Sequence, residues 1–330
     1  MSYGFEAIND FGHVLVSSEF HNLHWIGDAR VVGHEQVLSS HGGFRHITYR
    51  IPAIDAPIPF ITLPNSDYYG VAGVRRVSDG AHAWEIDVVA SGTSKVEPRM
   101  LCFVDADNVW PPAEQYGFVV KDAQGETAFD SRARPLVVTN AGQVRPRGGI
   151  YSRSVSLNAK YCRSSTSSAM RPNRHNTYNW LFEEEEPAFF FPTLGTGFRM
   201  EGEEEDDEST NWYGETTVEV WVSVYWVFYR SAIRKRDGNL ECGWIAVDHG
   251  CAYEYESASG WGFGGWLGAI IGLISGGIGG MLTGIVVEAL ISGYLHDTSS
   301  GGGGSGPDSS YTTNTKNTPI MVTDASLYQR

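Results

Sequence analysis

The chain of 330 residues carries a formal net charge of −15, and 42% of its residues are hydrophobic. This apolar fraction is typical of a globular protein with one or two packed cores, and it excludes a disordered polymer. The acidic balance argues against the basic surface of a nucleic-acid-binding protein, so we expect neither DNA nor RNA as a partner.

The first residues, MSYGFEAINDFGH, contain neither the basic nor the apolar stretch of a secretory signal. We therefore expect folding in a reducing cytosol, where disulfide frameworks are rare. The cysteines lack the CxxC spacing of zinc and redox sites and are expected to be buried free thiols: Cys102, Cys162, Cys242 and Cys251.

An internal repeat occupies the first part of the chain. YGFEAINDFGHVLVSSEFHNL, which begins at Tyr3, resembles YGFVVKDAQGETAFDSRARPL, which begins at Tyr116, at a constant offset of about 113 residues. Each copy has a short run, a polar turn that ends in Gly, and a second alternating run, a pattern that predicts a β-hairpin. Chance convergence of two unrelated hairpins is the alternative.

Short runs rich in Val, Ile, Thr and aromatic residues lie between the two copies, and Pro and Gly separate them. Turn residues recur about every eight to twelve positions, which is the spacing of an all-β sandwich. The predicted strands are FRHITYRIP, PFITLP, YYGVAGVRRV, AWEIDVVASG and RMLCFVD.

Two acidic runs, EEEE from Glu183 and EGEEEDDE from Glu201, follow a Ser- and Arg-rich stretch. Runs of this kind are usually solvated loops, although carboxylates could also hold Ca²⁺ or Mg²⁺ or steer a basic partner. Next, TTVEVWVSVYWVFYR predicts the strongest strand of the chain, and Asp237-Gly238 predicts the hairpin turn after it.

A stretch without charged residues, from Trp261 to Val287, carries glycine at every fourth position. As a helix it would extend about 40 Å, longer than the hydrocarbon core of a bilayer. Glycine in a helix interior costs about 1 kcal/mol relative to alanine, so close packing of neighbouring helices must offset the loss. The glycine rail consists of Gly264, Gly268, Gly272, Gly276, Gly280 and Gly284.

The remaining surface of this predicted helix is apolar all round, which requires burial in protein or in lipid. Three copies around an axis would place the rails inward and the aliphatic side chains outward. A helix packed permanently inside an assembly, a buried Gly-rich loop and a membrane-contacting helix are the alternatives. A Gly/Ser run, DTSSGGGGSGPDSS, follows and is expected to be a flexible tether.

Catalytic motifs such as a nucleophile elbow, a Walker loop or HExxH do not occur in the sequence, so we expect no enzyme and no cofactor. Asp105 and Asp107 only loosely match a calcium loop, which would also need a Gly and a terminal Glu. Several histidines would become metal ligands only if the fold brought a carboxylate to them, and we therefore predict no metal site: His21, His24, His34, His41 and His46.

Three stretches of residues 1–140 form a recognisable pattern: YGFEAINDFGHVLVSSEF, MLCFVDADNVWPPAEQYGFVVKDAQGETAFDSRARPL and the proline-spaced IPAIDAPIPFITLP. In these stretches the chain resembles small tail-tip and tail-fibre proteins of long-tailed bacteriophages. The resemblance implies a structural virion protein, assembled in the host cytoplasm and located in the tail. Its partners would be sister copies, other tail proteins and a host receptor or envelope membrane.

Taken together, these features predict a mainly β protein with a β-sandwich-like body, a repeated hairpin motif and one C-terminal hydrophobic helix. We expect it to act in host attachment and penetration. A free membrane-active or pore-forming protein and a carbohydrate-binding module are the alternatives. The predicted divisions are a β domain over 1–140, a second β region over 141–256, the glycine-rail helix over 257–297, and a linker with a C-terminal arm over 298–330.

Overall fold

The structure is a computed structural model, and it shows a mainly β protein. It describes residues 6–8, 14–17, 21–37, 44–78, 82–92, 94–109, 116–147, 175–180, 182–191, 196–214, 216–256, 309–313 and 317–329. The predicted β fold class is thereby confirmed. The predicted helix over 257–297 lies outside the described residues.

Many of the strands coincide with apolar runs of the sequence, whereas β16 contains an acidic run. Their bounds are β1 Glu6–Ile8, β2 Val14–Ser17, β3 Leu23–Asp28, β4 Arg30–Val37, β5 Phe44–Pro52, β6 Ile58–Thr62, β7 Tyr69–Arg76, β8 Ala83–Ser91, β9 Met100–Asp105, β10 Val119–Lys121, β11 Thr127–Asp130, β12 Arg134–Pro135, β13 Asn140–Val144, β14 Asn176–Tyr178, β15 Pro187–Phe190, β16 Thr196–Thr210, β17 Thr216–Arg236, β18 Asn239–Glu256, β19 Ser309–Thr313 and β20 Thr318–Asp324. Within the described residues, the 3-10 helices η1 Ala106–Asn108 and η2 Ala325–Tyr328 follow β9 and β20.

Two large sheets share one hydrophobic core. The first has the order β12-β3-β9-β6-β15-β20-β13 and the second the order β14-β18-β17-β7-β8-β5-β4. Alternating residues of β5 and β8 point into the core, as a strand period of two requires, and they meet residues of the first sheet there. Buried members from both sheets include Ile47, Tyr49, Ile86, Val88, Met100, Phe189, Ile233, Ile320 and Val322.

Strands from both sides of residue 140 contribute to each sheet and to this core. The boundary predicted at residue 140 therefore falls at the start of β13, within shared packing. Residues of the predicted C-terminal arm form β20, which lies between β15 and β13, and its Ile320 and Val322 are fully buried.

The outer face of the first sheet is covered by the end of the chain. Tyr328 of η2 packs edge-on against Phe103, with ring centroids 5.1 Å apart. The Arg99 guanidinium donates hydrogen bonds to the carbonyl oxygens of Ala325 and Tyr328, both at 2.8 Å. These contacts fix η2 on a second, smaller apolar cluster around Phe60.

The two copies of the repeat form two hairpins with the same pairing. Glu6 pairs with Ser17 in the first hairpin, and Val119 pairs with Asp130 in the second. Val119 lies 113 positions after Glu6, and Asp130 lies 113 positions after Ser17. A register shift also occurs at matching places, after Ala7 and after Val120. β2 and β11 lie beside each other.

Candidate functional site

The residues predicted to pack helices or contact a membrane lie outside the described residues: Gly264, Gly268, Gly272, Gly276, Gly280 and Gly284. The strands that flank them are described, and both belong to one extended ribbon. This ribbon has the strand order β18-β17-β16-β19.

The ribbon continues from the second sheet. β17 is 21 residues long and pairs with β7 of the second sheet at Ile233. In the described chain, the partners of its residues 216–228 are β16 and β18 alone. At about 3.3 Å per residue, the 17 steps from Ile233 to Thr216 have a contour length of about 55 Å. The β16–β17 turn therefore lies at the end of the ribbon farthest, along the strand, from the core.

The connection between β18 and β19 starts and ends on opposite edges of the ribbon. Glu256, the last residue of β18, pairs with Val220, while Ser309, the first of β19, pairs with Glu201. With about 4.8 Å between strands and about 3.3 Å per residue, these two ends lie about 20 Å apart. The ribbon thus fixes where the segment that carries the glycine rail leaves and rejoins the described chain.

An exposed aromatic pair occupies the turn at the end of the ribbon. The Trp212 and Tyr213 side chains are 86% and 75% exposed, and their ring centroids are 4.5 Å apart. The turn is closed by Asn211, whose side-chain oxygen accepts a hydrogen bond from the Tyr213 amide at 3.0 Å and whose carbonyl accepts one from Gly214 at 3.0 Å. Gly214 has φ 83°, a conformation that glycine adopts without steric cost.

The acidic run from Glu201 to Glu208 lies in β16, not in the solvated loop that the sequence predicts. It pairs residue by residue with the apolar part of β17, from Tyr225 to Val218. Isolated strand propensity disfavours so many carboxylates, but pairing with β17 outweighs that local preference. The other acidic run, Glu183–Glu186, lies just before β15. The Glu186 carboxylate forms an ion pair with the Arg99 guanidinium, with Oε2 3.1 Å from Nη1.

A second candidate site surrounds His21, just before β3. The two Asp105 carboxylate oxygens lie 2.9 and 3.0 Å from His21 Nδ1, and Asp122 Oδ2 lies 3.1 Å from Nε2. Ligand atoms of His21, Asp122 and Glu126 all lie within 4.8 Å of one another. The fold therefore brings three carboxylates, those of Asp105, Asp122 and Glu126, around His21.

The electrostatics of this cluster favour a cation. Partial desolvation lowers the pKa of His21, but hydrogen bonds to Asp122 and Asp105 raise it by more, so the net pKa shift is upward. Asp122 Oδ1 is already occupied, because it accepts the Gln124 and Glu126 amides at 2.9 and 2.8 Å. Its other oxygen, Oδ2, is the one that faces His21.

The other candidate residues have structural partners. His24 is fully buried between the carbonyl oxygens of Asn22 and Asp130, each 3.1 Å away, and burial lowers its pKa. His34 Nδ1 lies 3.5 Å from Glu97. His46 Nε2 lies 3.6 Å from Asp87, and His41 is outside the described residues.

Asp105 and Asp107 stabilise η1 and the second hairpin. The Asp107 amide donates to Asp105 Oδ1 at 3.1 Å, a typical helix cap. Asp107 Oδ1 in turn accepts the Thr127 amide of β11 at 3.0 Å. Cys102 and Cys242 are buried free thiols, and burial raises the pKa of Cys242 to about 12.

The sequence analysis missed two of these features. The Asn-Trp-Tyr-Gly turn at Asn211 carries a recognisable signal, Asn followed by Gly three positions later between two strand runs. Asp122 and Glu126 carry no such signal, since they meet His21 only through packing of the second hairpin.

No protein-family model, curated protein or solved structure matches this chain. In the parts of the chain that the structure describes, no helix is long and apolar enough to cross a bilayer. The functional conclusion therefore depends on the residues and their geometry.

Proposed function

We propose that the protein is a structural component of a bacteriophage tail tip or central fibre that acts in host attachment and penetration. In this proposal the two-sheet body attaches to the tail, and the ribbon of β16–β19 is the arm that contacts the host. The single observation that carries it is the exposed Trp212–Tyr213 pair at the end of the ribbon.

The aromatic pair is suited to contact with a partner surface. Trp and Tyr combine a large apolar area with a polar tip, and they are enriched in interface cores and at membrane surfaces. A turn that serves only to reverse the chain does not require two such side chains in solvent. The Asx-type hydrogen bond of Asn211 and the positive φ of Gly214 hold the turn in one conformation, which lowers the entropic cost of binding.

The sequence of the ribbon supports an oligomer. Val218 to Tyr229 contains one charged residue, Glu219, so β17 presents apolar residues at both alternating sets of positions. A strand with that pattern is typical of a sheet covered on both faces. We propose that sister copies around a tail axis, three in number, provide this cover. The rail from Gly264 to Gly284 would then pack as a helical bundle on the axis or engage the envelope membrane.

The test replaces the aromatic pair in assembled particles. Particles that carry Trp212→Ala/Tyr213→Ala should contain the protein in normal amount and adsorb to host cells at least tenfold more slowly, because loss of two anchoring side chains typically costs more than 1 kcal/mol each. The matched control is Tyr116→Ala, an exposed tyrosine outside the ribbon. Normal adsorption of the double variant, or an equal defect in the control, would refute the role of the ribbon tip.

Membrane insertion without a particle is the second candidate, and the uncharged stretch from Trp261 to Val287, which lies between β18 and β19, favours it. A free pore-forming protein should be a soluble monomer that releases dye from liposomes, whereas a tail protein should be recovered with particles. A carbohydrate-binding module would instead retain glycan binding in the isolated chain and lose it in the double variant. Recovery with purified particles, measured by mass spectrometry, separates the tail protein from both alternatives.

A further inference from the structure

We propose that His21, Asp122 and Glu126 form a binding site for a divalent transition-metal ion of the zinc and manganese class. Asp105 orients the histidine and does not itself bind the ion. The site joins the second hairpin of the repeat to the body, and it is separate from the ribbon and from the proposed host contact.

The three ligand atoms converge from two separate parts of the chain. His21 lies before β3, and Asp122 and Glu126 lie in the β10–β11 turn. Zinc–ligand distances are about 2.0–2.2 Å in a tetrahedral site, so two ligands of one ion lie about 3.3–3.6 Å apart. The observed separations are all within 4.8 Å, so side-chain rotations that bring the ligand atoms closer by about 1 Å would enclose an ion.

The histidine is oriented as in known metal sites. Both oxygens of Asp105 face Nδ1, at 2.9 and 3.0 Å, so Nδ1–H donates to this carboxylate and Nε2 is the nitrogen that would bind the ion. Metal-ligating histidines almost always donate their second ring N–H to a carboxylate, a carbonyl or water in this way. In the absence of an ion, a proton on Nε2 bridges to Asp122 instead.

Each ligand carboxylate has an oxygen available. Asp122 Oδ2 faces Nε2 because Oδ1 is held by two turn amides. The side chains of His21 and Asp122 are 23% and 12% exposed, so the site is partly enclosed but reachable by water ligands. Glu126 is exposed and approaches from the solvent side.

The donor set selects the class of ion. One imidazole with two carboxylates suits zinc or manganese, while Ca²⁺ and Mg²⁺ prefer oxygen ligands alone. The site also belongs to one copy of the repeat: 113 positions earlier, Asp122 and Glu126 correspond to Asn9 and His13. The ion would therefore strengthen the docking of the second hairpin, which already contacts the body through the Thr127 amide and Asp107.

In the experiment, a chelator first removes metal from the full chain. Zinc chloride is then added in the presence of a chromophoric zinc indicator, and competition between the protein and the indicator gives the zinc affinity. Glu126→Gln and Asp122→Asn should each weaken the tightest zinc site at least tenfold. Asp122→Asn keeps an oxygen that accepts the turn amides, so the turn should remain folded. Asp105→Asn should weaken zinc binding by about 10- to 100-fold through the orientation of His21.

A matched control tests whether any histidine–carboxylate pair would do. His34 and Glu97 form such a pair at 3.5 Å, and the described chain supplies no third ligand there. Glu97→Gln should leave the tight site unchanged. Zinc should also slow hydrogen exchange of the Glu126 and Thr127 amides in the wild-type chain and not in Glu126→Gln.

Three results would overturn the proposal. They are the absence of a tight zinc site in the wild-type chain, wild-type zinc affinity in both ligand variants, and an equal loss in the Glu97→Gln control. Displacement of zinc by millimolar calcium would overturn the assignment to a nitrogen-preferring ion.

Discussion

Gly70 permits the contact that attaches the ribbon to the body. A Cβ atom at this position would lie 2.8 Å from the backbone oxygen of Ser231 in β17, closer than real Cβ contacts come. The same Cβ would lie 3.4 Å from the Ala232 Cβ. Backbone cannot rotate away as a flexible side chain can, so Gly70→Ala must push β17 away from β7.

The size of the effect follows from two opposing contributions. Overpacking of this kind costs about 1–3 kcal/mol. Alanine also restricts the unfolded chain, which stabilises by about 0.4–1 kcal/mol. We therefore expect Gly70→Ala to lower the free energy of unfolding by about 1.3 kcal/mol, the difference between the midpoints of these two ranges.

Gly33→Ala is the matched control, since Gly33 also lies in the second sheet. Its added Cβ would be 3.4 Å from Thr48 Cβ, an ordinary contact with a side chain. We expect no loss of stability, or a gain below about 1 kcal/mol. Urea unfolding of both full-length variants, followed by tryptophan fluorescence, measures the difference. Equal stability of the two variants would refute the argument that β17 approaches β7 only because residue 70 lacks a Cβ.

Three further outcomes are expected. Phe189→Ala should cost about 3–5 kcal/mol in urea unfolding, because the fully buried ring leaves a cavity between the sheets, and a loss below about 1 kcal/mol would contradict that packing. Arg99→Lys should speed hydrogen exchange at Tyr328 without unfolding the body, because the two carbonyls of η2 bind separate guanidinium nitrogens and lysine has a single nitrogen. Unchanged exchange would argue against this attachment. Acidification should destabilise the fold, because arginine hydrogen bonds lower the pKa of Asp130 and of Glu85 more than burial raises it. The contribution of these two carboxylates to stability is therefore present above about pH 4 and is lost below it. A melting temperature that stays constant from pH 6 to pH 3 would contradict this.

Local pattern accounts for the strands and turns that sequence analysis locates well. The run FRHITYRIP coincides with β5, Phe44–Pro52, because alternating β-branched and aromatic residues favour one half-buried strand. Asp237 and Gly238 adopt φ of 51° and 77°, as a tight hairpin turn requires. The paired residues of the two hairpins differ by the same 113 positions as the sequence repeat, because similar turn residues produce the same strand register.

Other features depend on partners far away in the chain. β20 consists of seven residues that the sequence leaves open as a short strand or an extended arm, and it is an interior strand because β13 and β15 both pair with it. The acidic residues of β16 favour solvent locally, and only the long apolar β17 beside them draws them into a sheet. Local propensity is a weak predictor wherever such long-range pairing outweighs it.

Composition, period and turn residues act over a few neighbours, so they are sufficient to predict the β class, the repeated hairpin and the position of the uncharged glycine-rich stretch. The contacts of His21 with Asp105 and Asp122, separated from it by 84 and 101 positions, and the place of Trp212 and Tyr213 at the end of a long ribbon follow from the folded chain alone. Such convergence depends on how the sheets pack, and packing couples residues that no local pattern relates.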